Sequence, residues 1–401
     1  MKVRPIILCG GAGTRLWSNT NKHQAKQFID FGNWTLLDKT LQRIKSSLFD
    51  YPIISTNKIY LKQVKQHLKK NKIKNFNIIL EPMKKNTAPA ILTAALIKHI
   101  PSIQPLLFLS SDHLIENIGL FNKNINKNKR YLTEDNIFIF GIKPTSPSSE
   151  FGYFLTKKNK KTKDRVSRFI EKPNQITAKK IINNNGYWNS GIFFARKDSI
   201  IKNFKILQSS IYKCCLESIN KSKIKKNIYF LNKASFSKIS SKSFDKAILE
   251  KTKKINSIKL NINWSDLGSW KEILKMYDRN KHKYYKKKNI FHRPWGSYTN
   301  LFKGKNFLIK ELYVKPKGIL SLQKHNYRSE HWLITKGSPI ITLNTKKISK
   351  RPNEHIYIPK RAKHRIQNLG KKPVKILEAQ IGSLLKESDI IRYADVYGRV
   401  K

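Results

Sequence analysis

The chain has 401 residues, 39% of them hydrophobic, with 82 Lys and Arg against 25 Asp and Glu for a formal net charge of +57; that length and apolar content suffice for two or three domains with cores of their own. No apolar run approaches the roughly 18 residues of a membrane span, and Met1-Lys2-Val3-Arg4-Pro5 leads into a run too short for a signal-peptide core, so no membrane partner and a cytoplasmic location are expected. The three cysteines, Cys9 and the adjacent pair Cys214 and Cys215, fit neither a disulfide framework nor a CxxC zinc spacing.

In chain order, residues 3–9 read as a buried strand, 36–48 as an amphipathic helix, 53–56 as a strand and 59–68 as a helix. Residues 76–80 follow as a strand, 87–100 as an Ala-rich helix and 105–109 as a further apolar strand. Strands alternating with helices imply a parallel sheet, and such sheets bind ligands outside the carboxyl ends of their strands. The pattern continues less cleanly to about residue 277, after which Asp278 to Phe291 is a polar, basic run with the look of a linker. From Trp295 the period changes to two. Segments 308–314, 332–335, 340–343, 356–358 and 374–379, with turns such as Lys317-Gly318 and Lys336-Gly337 between them, predict an antiparallel sandwich or small barrel.

The high charge by itself suggests a polyanion partner. Only 15 of the 82 basic residues are Arg, however, and Lys, Asn and Ile, whose codons are A/T-rich, crowd the loops along the whole chain. A nucleic-acid surface concentrates Arg and aromatics on one element, so base drift explains the charge better, and no nucleic-acid partner is expected.

The stretch Ile7-Leu8-Cys9-Gly10-Gly11-Ala12-Gly13-Thr14-Arg15-Leu16-Trp17 closes the first strand. Glycines there uncover backbone N–H groups to which a phosphate can come close, and Arg15 adds a cationic fork. No Gly-Lys-Ser/Thr follows, which excludes a Walker loop, and the glycine spacing is a poor dinucleotide fingerprint.

This stretch, followed by Lys26-Gln27-Phe28, resembles the signature of sugar-nucleotide pyrophosphorylases, specifically the mannose-1-phosphate guanylyltransferases. Further segments agree in order: Glu81-Pro82 to Ala90, Ser111-Asp112-His113, Phe140-Gly141-Ile142 with Phe151-Gly152-Tyr153, and Phe169 to Pro173. Trp188-Asn189-Ser190-Gly191, Phe244-Asp245-Lys246-Ala247 and Trp264-Ser265-Asp266-Leu267-Gly268 complete the set. Beyond the linker, Arg293-Pro294-Trp295-Gly296, Gln323-Lys324-His325, Arg328-Ser329-Glu330-His331-Trp332, His364-Arg365 and Asp389-Ile390-Ile391-Arg392-Tyr393 resemble the cupin half of the bifunctional enzymes that join this activity to phosphomannose isomerase.

The resemblance implies an α/β Rossmann-like nucleotidyltransferase domain over 1–280, a short basic linker over 281–292 and an all-β cupin, a double-stranded β-helix or jelly-roll, over 293–401. It implies small-molecule substrates, GTP and mannose 1-phosphate. Condensing them is an in-line displacement at phosphorus that needs positioning and charge neutralisation rather than a covalent nucleophile. On the resemblance, Gly10, Gly11, Gly13, Thr14, Arg15, Glu81, Asn86 and Thr87 bind the nucleotide, Arg15 and Lys26 neutralise the leaving pyrophosphate, and Asp112 with Asp266 holds Mg²⁺. Asp266 also reads as a helix N-cap. Gly152, Glu171, Lys172 and Asn189 resemble the sugar-phosphate positions. In the cupin, Gln323, His325, Glu330 and His364 form a candidate site for Zn²⁺ or another divalent ion, and Arg392 a candidate phosphate ligand. A ligand-free barrel serving as scaffold is the alternative.

Several departures stand out. Relatives usually carry a turn-rich β-helix, which helps dimers form, between the segments at Trp270 and Arg293; only a short basic stretch lies here, so a monomer or weak oligomer is expected. Ala25 replaces a proline, Lys85 an arginine, and Tyr327 a residue that is commonly histidine. If the metal site used His-x-His spacing, Tyr327 would remove a ligand, whereas Gln-x-His at 323 and 325 preserves one.

Overall fold

The computed structural model describes residues 1–11, 25–29, 31, 34–157, 164–268, 272, 290–304 and 306–398. They fall into two compact units, the first formed by residues 1–29 and 34–273 and the second chiefly by residues 274–401.

The apolar runs near the amino terminus form strands β1 (Arg4–Cys9), β2 (Ile53–Asn57), β3 (Asn77–Glu81) and β4 (Pro105–Ser110). They pair in parallel in the order β3-β2-β1-β4. Being buried on both faces, each strand sends alternate residues into different cores. Ile7, Ile54, Ile78 and Leu107 pack with Leu37 and Leu41 of helix α1 (Leu36–Arg43) and Val64 and Leu68 of α2 (Leu61–Lys70). Ile6, Ile53, Ile79 and Leu106 pack with Ala88, Ile91 and Leu92 of α3 (Thr87–Ala95). This two-sided burial is why the strands read as unbroken apolar runs.

The remaining strands of this unit are β5 (Leu114–Ile115), β6 (Ile137–Ile142), β7 (Tyr153–Lys157), β8 (Arg165–Ile170), β9 (Tyr187–Arg196), β10 (Lys223–Lys225), β11 (Ile228–Phe230), β12 (Ile255–Leu260) and β13 (Trp264–Ser265). The main sheet runs β10-β11-β3-β2-β1-β4-β9-β6-β12-β8-β7. It is mixed rather than parallel throughout, because β9 lies antiparallel to both β4 and β6. The short β5 and β13 pair with each other and carry Asp112 and Asp266 at their margins.

Two helices are shorter than their apolar pattern. α1 stops at Arg43, and α3 stops at Ala95 instead of continuing to Ile100, where the buried Lys197 Nζ donates to the carbonyls of Ile97 at 2.9 Å and Ile100 at 2.6 Å. A longer helix could not have bonded the Ile97 carbonyl internally, because residue 101 is a proline with no N–H, and a lysine from another element takes it instead.

The second unit is all β: β14 (Ile290–Arg293), β15 (Gly296–Lys303), β16 (Phe307–Val314), β17 (Leu322–His325), β18 (Arg328–Lys336), β19 (Ile340–Leu343), β20 (Lys346–Ser349), β21 (His355–Ile358), β22 (His364–Gln367), β23 (Val374–Gly382) and β24 (Ile390–Ala394). They form two antiparallel sheets, β14-β15-β16-β23-β18-β21 and β20-β19-β22-β17-β24. Trp295, Val314, Trp332, Ile334, Ile341, Ile366 and Ile376 fill the space between them, as in a cupin jelly-roll. Residues 290–292, expected in the linker, instead begin the first sheet, where Phe291 stacks on Tyr298 with centroids 4.8 Å apart. Residues 281–289 lie outside the described set. Tyr327 is also placed differently from expectation. It sits in the bend between β17 and β18, 53% exposed, rather than beside His325 on a strand face.

Gly296 has φ +147°, and a Cβ there would come 1.9 Å from the Tyr313 carbonyl oxygen. Gly296→Ala is therefore expected to destabilise this unit by about 2 kcal/mol or more, lowering its thermal midpoint by several degrees; an unchanged midpoint would contradict this packing.

Candidate functional site

The carboxyl ends of β1, β2, β3 and β4 open onto a cavity of about 420 Å³ lined by Cys9, Gly10, Gly11, Gln27, Ser55, Glu81, Lys84, Lys85, Asn86, Thr87, Ser111 and Asp112 among others. A Cβ at Gly10 or Gly11 would meet nothing within 4 Å. Packing against the described residues does not require glycine at either place. Asn86 has a positive φ of 68°, and its side chain caps α3 by accepting from Thr87 N; the cavity therefore faces a helix amino terminus and two lysines, a setting suited to anions. Glu81 projects into the same cavity, accepts a 2.6 Å hydrogen bond from Ser55 Oγ, and is pushed up to about 7 by burial. Burial pushes the Cys9 thiol up to about 12, which disfavours the thiolate a nucleophile needs.

Lys26, only 3% exposed, connects three parts of this unit. Its Nζ lies 2.8 Å from Asp112 Oδ2, past the end of β4, and donates to the Asp266 carbonyl, past the end of β13. The next residue, Gln27, donates from Nε2 to the Gly11 carbonyl at 3.1 Å. Burial opposes the charge on Asp112, but Lys26 and His113 outweigh it and hold the carboxyl below its ordinary value. Asp266 Oδ1 accepts from Gly268 N at 3.1 Å, and Glu272 is pushed up to about 7 by burial and by its hydrogen bond to Asp266. The turn at Asp266 is therefore an Asx-type turn rather than the start of a described helix.

The sugar-phosphate candidates gather around the β7 and β9 strands. A Cβ on Gly152 would come 2.6 Å from Glu171 Oε2, so the glycine is what lets that carboxylate in. Asn189 Nδ2 donates to Asp245 Oδ1 at 2.8 Å. Burial, then the nearby Asp245, pushes Glu171 up to about 7, and burial, with Glu250 adding to it, pushes Asp245 up to about 6. Lys172, at φ 47°, and Glu171 act on each other electrostatically.

In the second unit His325, Glu330 and His364 are all buried, with ligand atoms within 4.8 Å of one another. His325 Nε2 lies 3.1 Å from Glu330 Oε1, and His364 Nε2 lies 3.6 Å from Oε2. The tautomers follow from the backbone. His325 Nδ1 contacts the Asp389 carbonyl at 3.2 Å and His364 Nδ1 the Ala362 carbonyl at 2.9 Å; a carbonyl only accepts, so both Nδ1 atoms carry hydrogen and both Nε2 atoms turn to the centre. Burial works against the Glu330 charge, yet His325, His364 and Arg328 hold it well below the carboxylate range. His364 Nε2 is buried with no hydrogen-bond partner among the described residues. Two imidazole nitrogens and an ionised carboxylate form a donor set that fits a divalent metal.

Gln323 stands opposite both His364 and Arg392 in the sheet register, its Oε1 accepting from Ser321 Oγ at 3.0 Å. Arg392 Nε is buried with no hydrogen-bond partner among the described residues. Gly13, Thr14 and Arg15 lie outside the described residues. Sequence reasoning missed Gln27, Ser55, Asp245, Arg328 and Asp389 as site residues. Asp245, Arg328 and Asp389 lie within recognised segments, so their chemistry was available to notice; nothing marked Ser55, a small polar residue at a strand end.

The Nucleotidyl transferase family matches residues 4–282, and the family Mannose-6-phosphate isomerase C-terminal matches residues 278–395. The two matches meet with nothing between them. A mannose-1-phosphate guanylyltransferase of Salmonella montevideo is 30% identical over 472 aligned positions, covering 99% of this chain and 100% of that protein; this chain has 401 residues, so part of that protein has no counterpart here. The xanthan biosynthesis protein XanB of Xanthomonas campestris is also 30% identical, with 99% of each chain covered. A mannose-6-phosphate isomerase structure from Helicobacter pylori superposes with a TM-score of 0.57 at 26% identity, covering 66% of this chain and 100% of that one. A Thermus thermophilus structure described as mannose-1-phosphate geranyltransferase shares the fold, with a TM-score of 0.60 at 22% identity over 69% of this chain and 79% of that one. The chain belongs to the nucleotidyl transferase family, and within it to the mannose-1-phosphate guanylyltransferases that carry a mannose-6-phosphate isomerase C-terminal domain.

Glu81 gives this unit a pH signature. Its folded value near 7 exceeds the ordinary 4.5, so between those values the native protein holds a proton the unfolded chain does not. Stability is full below the unfolded value and falls as pH rises to about 7. In Glu81→Gln the difference in unfolding free energy between pH 5 and pH 8 is expected to shrink by on the order of 2 kcal/mol; denaturant titrations with the same pH dependence in both proteins would contradict the assignment.

Proposed function

We propose that the first unit catalyses the reaction of GTP with α-D-mannose 1-phosphate to give GDP-mannose and pyrophosphate, supplying GDP-mannose for polysaccharide synthesis. The observation that carries this reading is the buried Lys26, paired with Asp112 beside a cavity whose floor is the bare backbone of Gly10 and Gly11. The sugar-phosphate oxygen attacks the α-phosphorus in line as pyrophosphate departs. Backbone donors at Gly10, Gly11 and Gly13, together with Thr14, Asn86 and Thr87, receive the nucleotide, and Glu81 contributes from the buried side of the cavity. Arg15 and Lys26 meet negative charge as it shifts onto the leaving group. Gly152, Glu171, Lys172 and Asn189 hold the sugar phosphate. Asp112 and Asp266, hard oxygen donors, would hold Mg²⁺, which when bound neutralises phosphate charge.

For the second unit we propose interconversion of fructose 6-phosphate and mannose 6-phosphate. Gln323, His325, Glu330 and His364 would hold Zn²⁺ or another divalent ion, which when bound polarises the sugar carbonyl, and Arg392 receives the phosphate. The support is the buried, unpartnered His364 Nε2 facing an ionised Glu330. The competing reading, a scaffold barrel, leaves that nitrogen without a purpose.

With purified protein, GTP, mannose 1-phosphate and Mg²⁺, GDP-mannose is expected by chromatography. Lys26→Ala and Arg15→Ala are each expected to lower turnover on the order of a hundredfold or more, with normal activity in either folded variant counting against the role. Mannose 6-phosphate turnover is expected to disappear in His325→Ala and with chelators. Absence of stoichiometric metal and of turnover in the wild type, with zinc, cobalt or manganese supplied, would leave the cupin as scaffold.

A further inference from the structure

We propose that Asp389 is a positioning residue of the cupin site, orienting His325 and drawing Arg328 back so that its guanidinium does not settle fully on the His325 Nε2 and Glu330 atoms that would hold a metal. The proposal rests on the metal-site reading above. Contacts from the stretch His325 to Arg328 converge on this one residue. Asp389 is 3% exposed, immediately before β24. Its carbonyl accepts from His325 Nδ1 at 3.2 Å, while its Oδ1 accepts from Asn326 N at 3.0 Å and Tyr327 N at 3.2 Å. Oδ2 lies 3.6 Å from Arg328 NH1, which also donates to the Lys386 carbonyl at 3.0 Å.

Each contact has a directional consequence. The carbonyl sets the His325 tautomer, and the carboxylate fixes the bend that carries the peptide from His325 toward Glu330, so the two candidate ligands keep their spacing. Arg328 is the competing element. Its Nε lies 3.1 Å from Glu330 Oε1 and its NH2 lies 3.3 Å from His325 Nε2. A guanidinium only donates, so it occupies the same lone pair that a cation would use. Asp389 and the Lys386 carbonyl hold the NH1 end of the fork in the opposite direction. Without the Asp389 carboxylate, Arg328 settles more fully on Glu330 and His325, and the backbone N–H groups of Asn326 and Tyr327 lose their acceptor.

A residue that only braced the bend would change stability and leave metal affinity alone. The test therefore uses metal affinity. Full-length wild type, Asp389→Asn and Asp389→Ala are stripped with chelator, titrated with Co²⁺ against a competing chelator, and followed by the cobalt absorption bands; thermal midpoints are measured without metal. Asp389→Ala is expected to bind Co²⁺ about 10- to 100-fold more weakly, with altered bands. Asp389→Asn, which keeps an acceptor oxygen but loses the charge facing Arg328, is expected to fall between, and it decides the matter if the alanine variant does not fold. A lower metal-free midpoint with wild-type affinity and bands would overturn the proposal and leave Asp389 as a brace. Failure of the wild type to bind Co²⁺ would overturn the metal-site reading itself, and this proposal with it.

Discussion

The first unit depends on one buried ammonium. Lys26 Nζ, in a segment separate in sequence from every strand, pairs with the Asp112 carboxylate and the Asp266 carbonyl. Burying an unpaired ammonium costs several kcal/mol, so both partners must be in place for the segment to dock at all. Docking in turn brings Gln27 onto the Gly11 carbonyl. The parallel pairing of β1 with β4 supplies the geometry, since it sets Cys9-Gly10-Gly11 and Ser111-Asp112 at the same edge of the sheet. Replacing any one of these contacts would loosen the side chain proposed to meet the leaving group's charge.

Charge inside the protein is arranged quite differently from charge outside. The surface is dominated by lysine, yet the candidate sites are built from buried carboxyls in two protonation regimes. Asp112 and Glu330 sit beside cations and are held ionised. At Glu81, Glu171, Asp245 and Glu378 burial outweighs the lowering influences and pushes each of them up. The ionised set supplies hard oxygen donors, whereas the raised set can give or accept a hydrogen bond near neutral pH. Glu378 reaches Glu330 through Gln380, which donates to both, so the cupin contains one member of each kind in a single network.

Much of this was legible in the sequence, for identifiable reasons. The first strands were readable because burial on both faces demands continuous apolar runs, and the cupin strands because one-sided burial demands alternation. The glycines at 10 and 11 announced an open backbone, and the structure finds open space beside them. The antiparallel insertion of β9 was not readable, since strand direction depends on long-range pairing that local pattern does not encode. Tyr327 was misplaced because a two-residue bend cannot be told from continuing alternation. The partners of His325 were hidden for a different reason. Asp389 lies 64 positions away, and one of its contacts is through a backbone carbonyl, which any residue type could provide.

The central claim is that the cavity at the carboxyl ends of β1 to β4 promotes a direct, in-line displacement at the α-phosphorus by positioning and charge, without a covalent protein intermediate. Cys9, the thiol lining that cavity, is kept protonated by burial. The stereochemical course tests this most directly: with GTP carrying sulfur at one α-phosphoryl oxygen, the resulting thio-GDP-mannose is predicted to show inverted configuration at phosphorus. Net retention, the outcome of two successive displacements through an enzyme-bound nucleotide, would contradict the account.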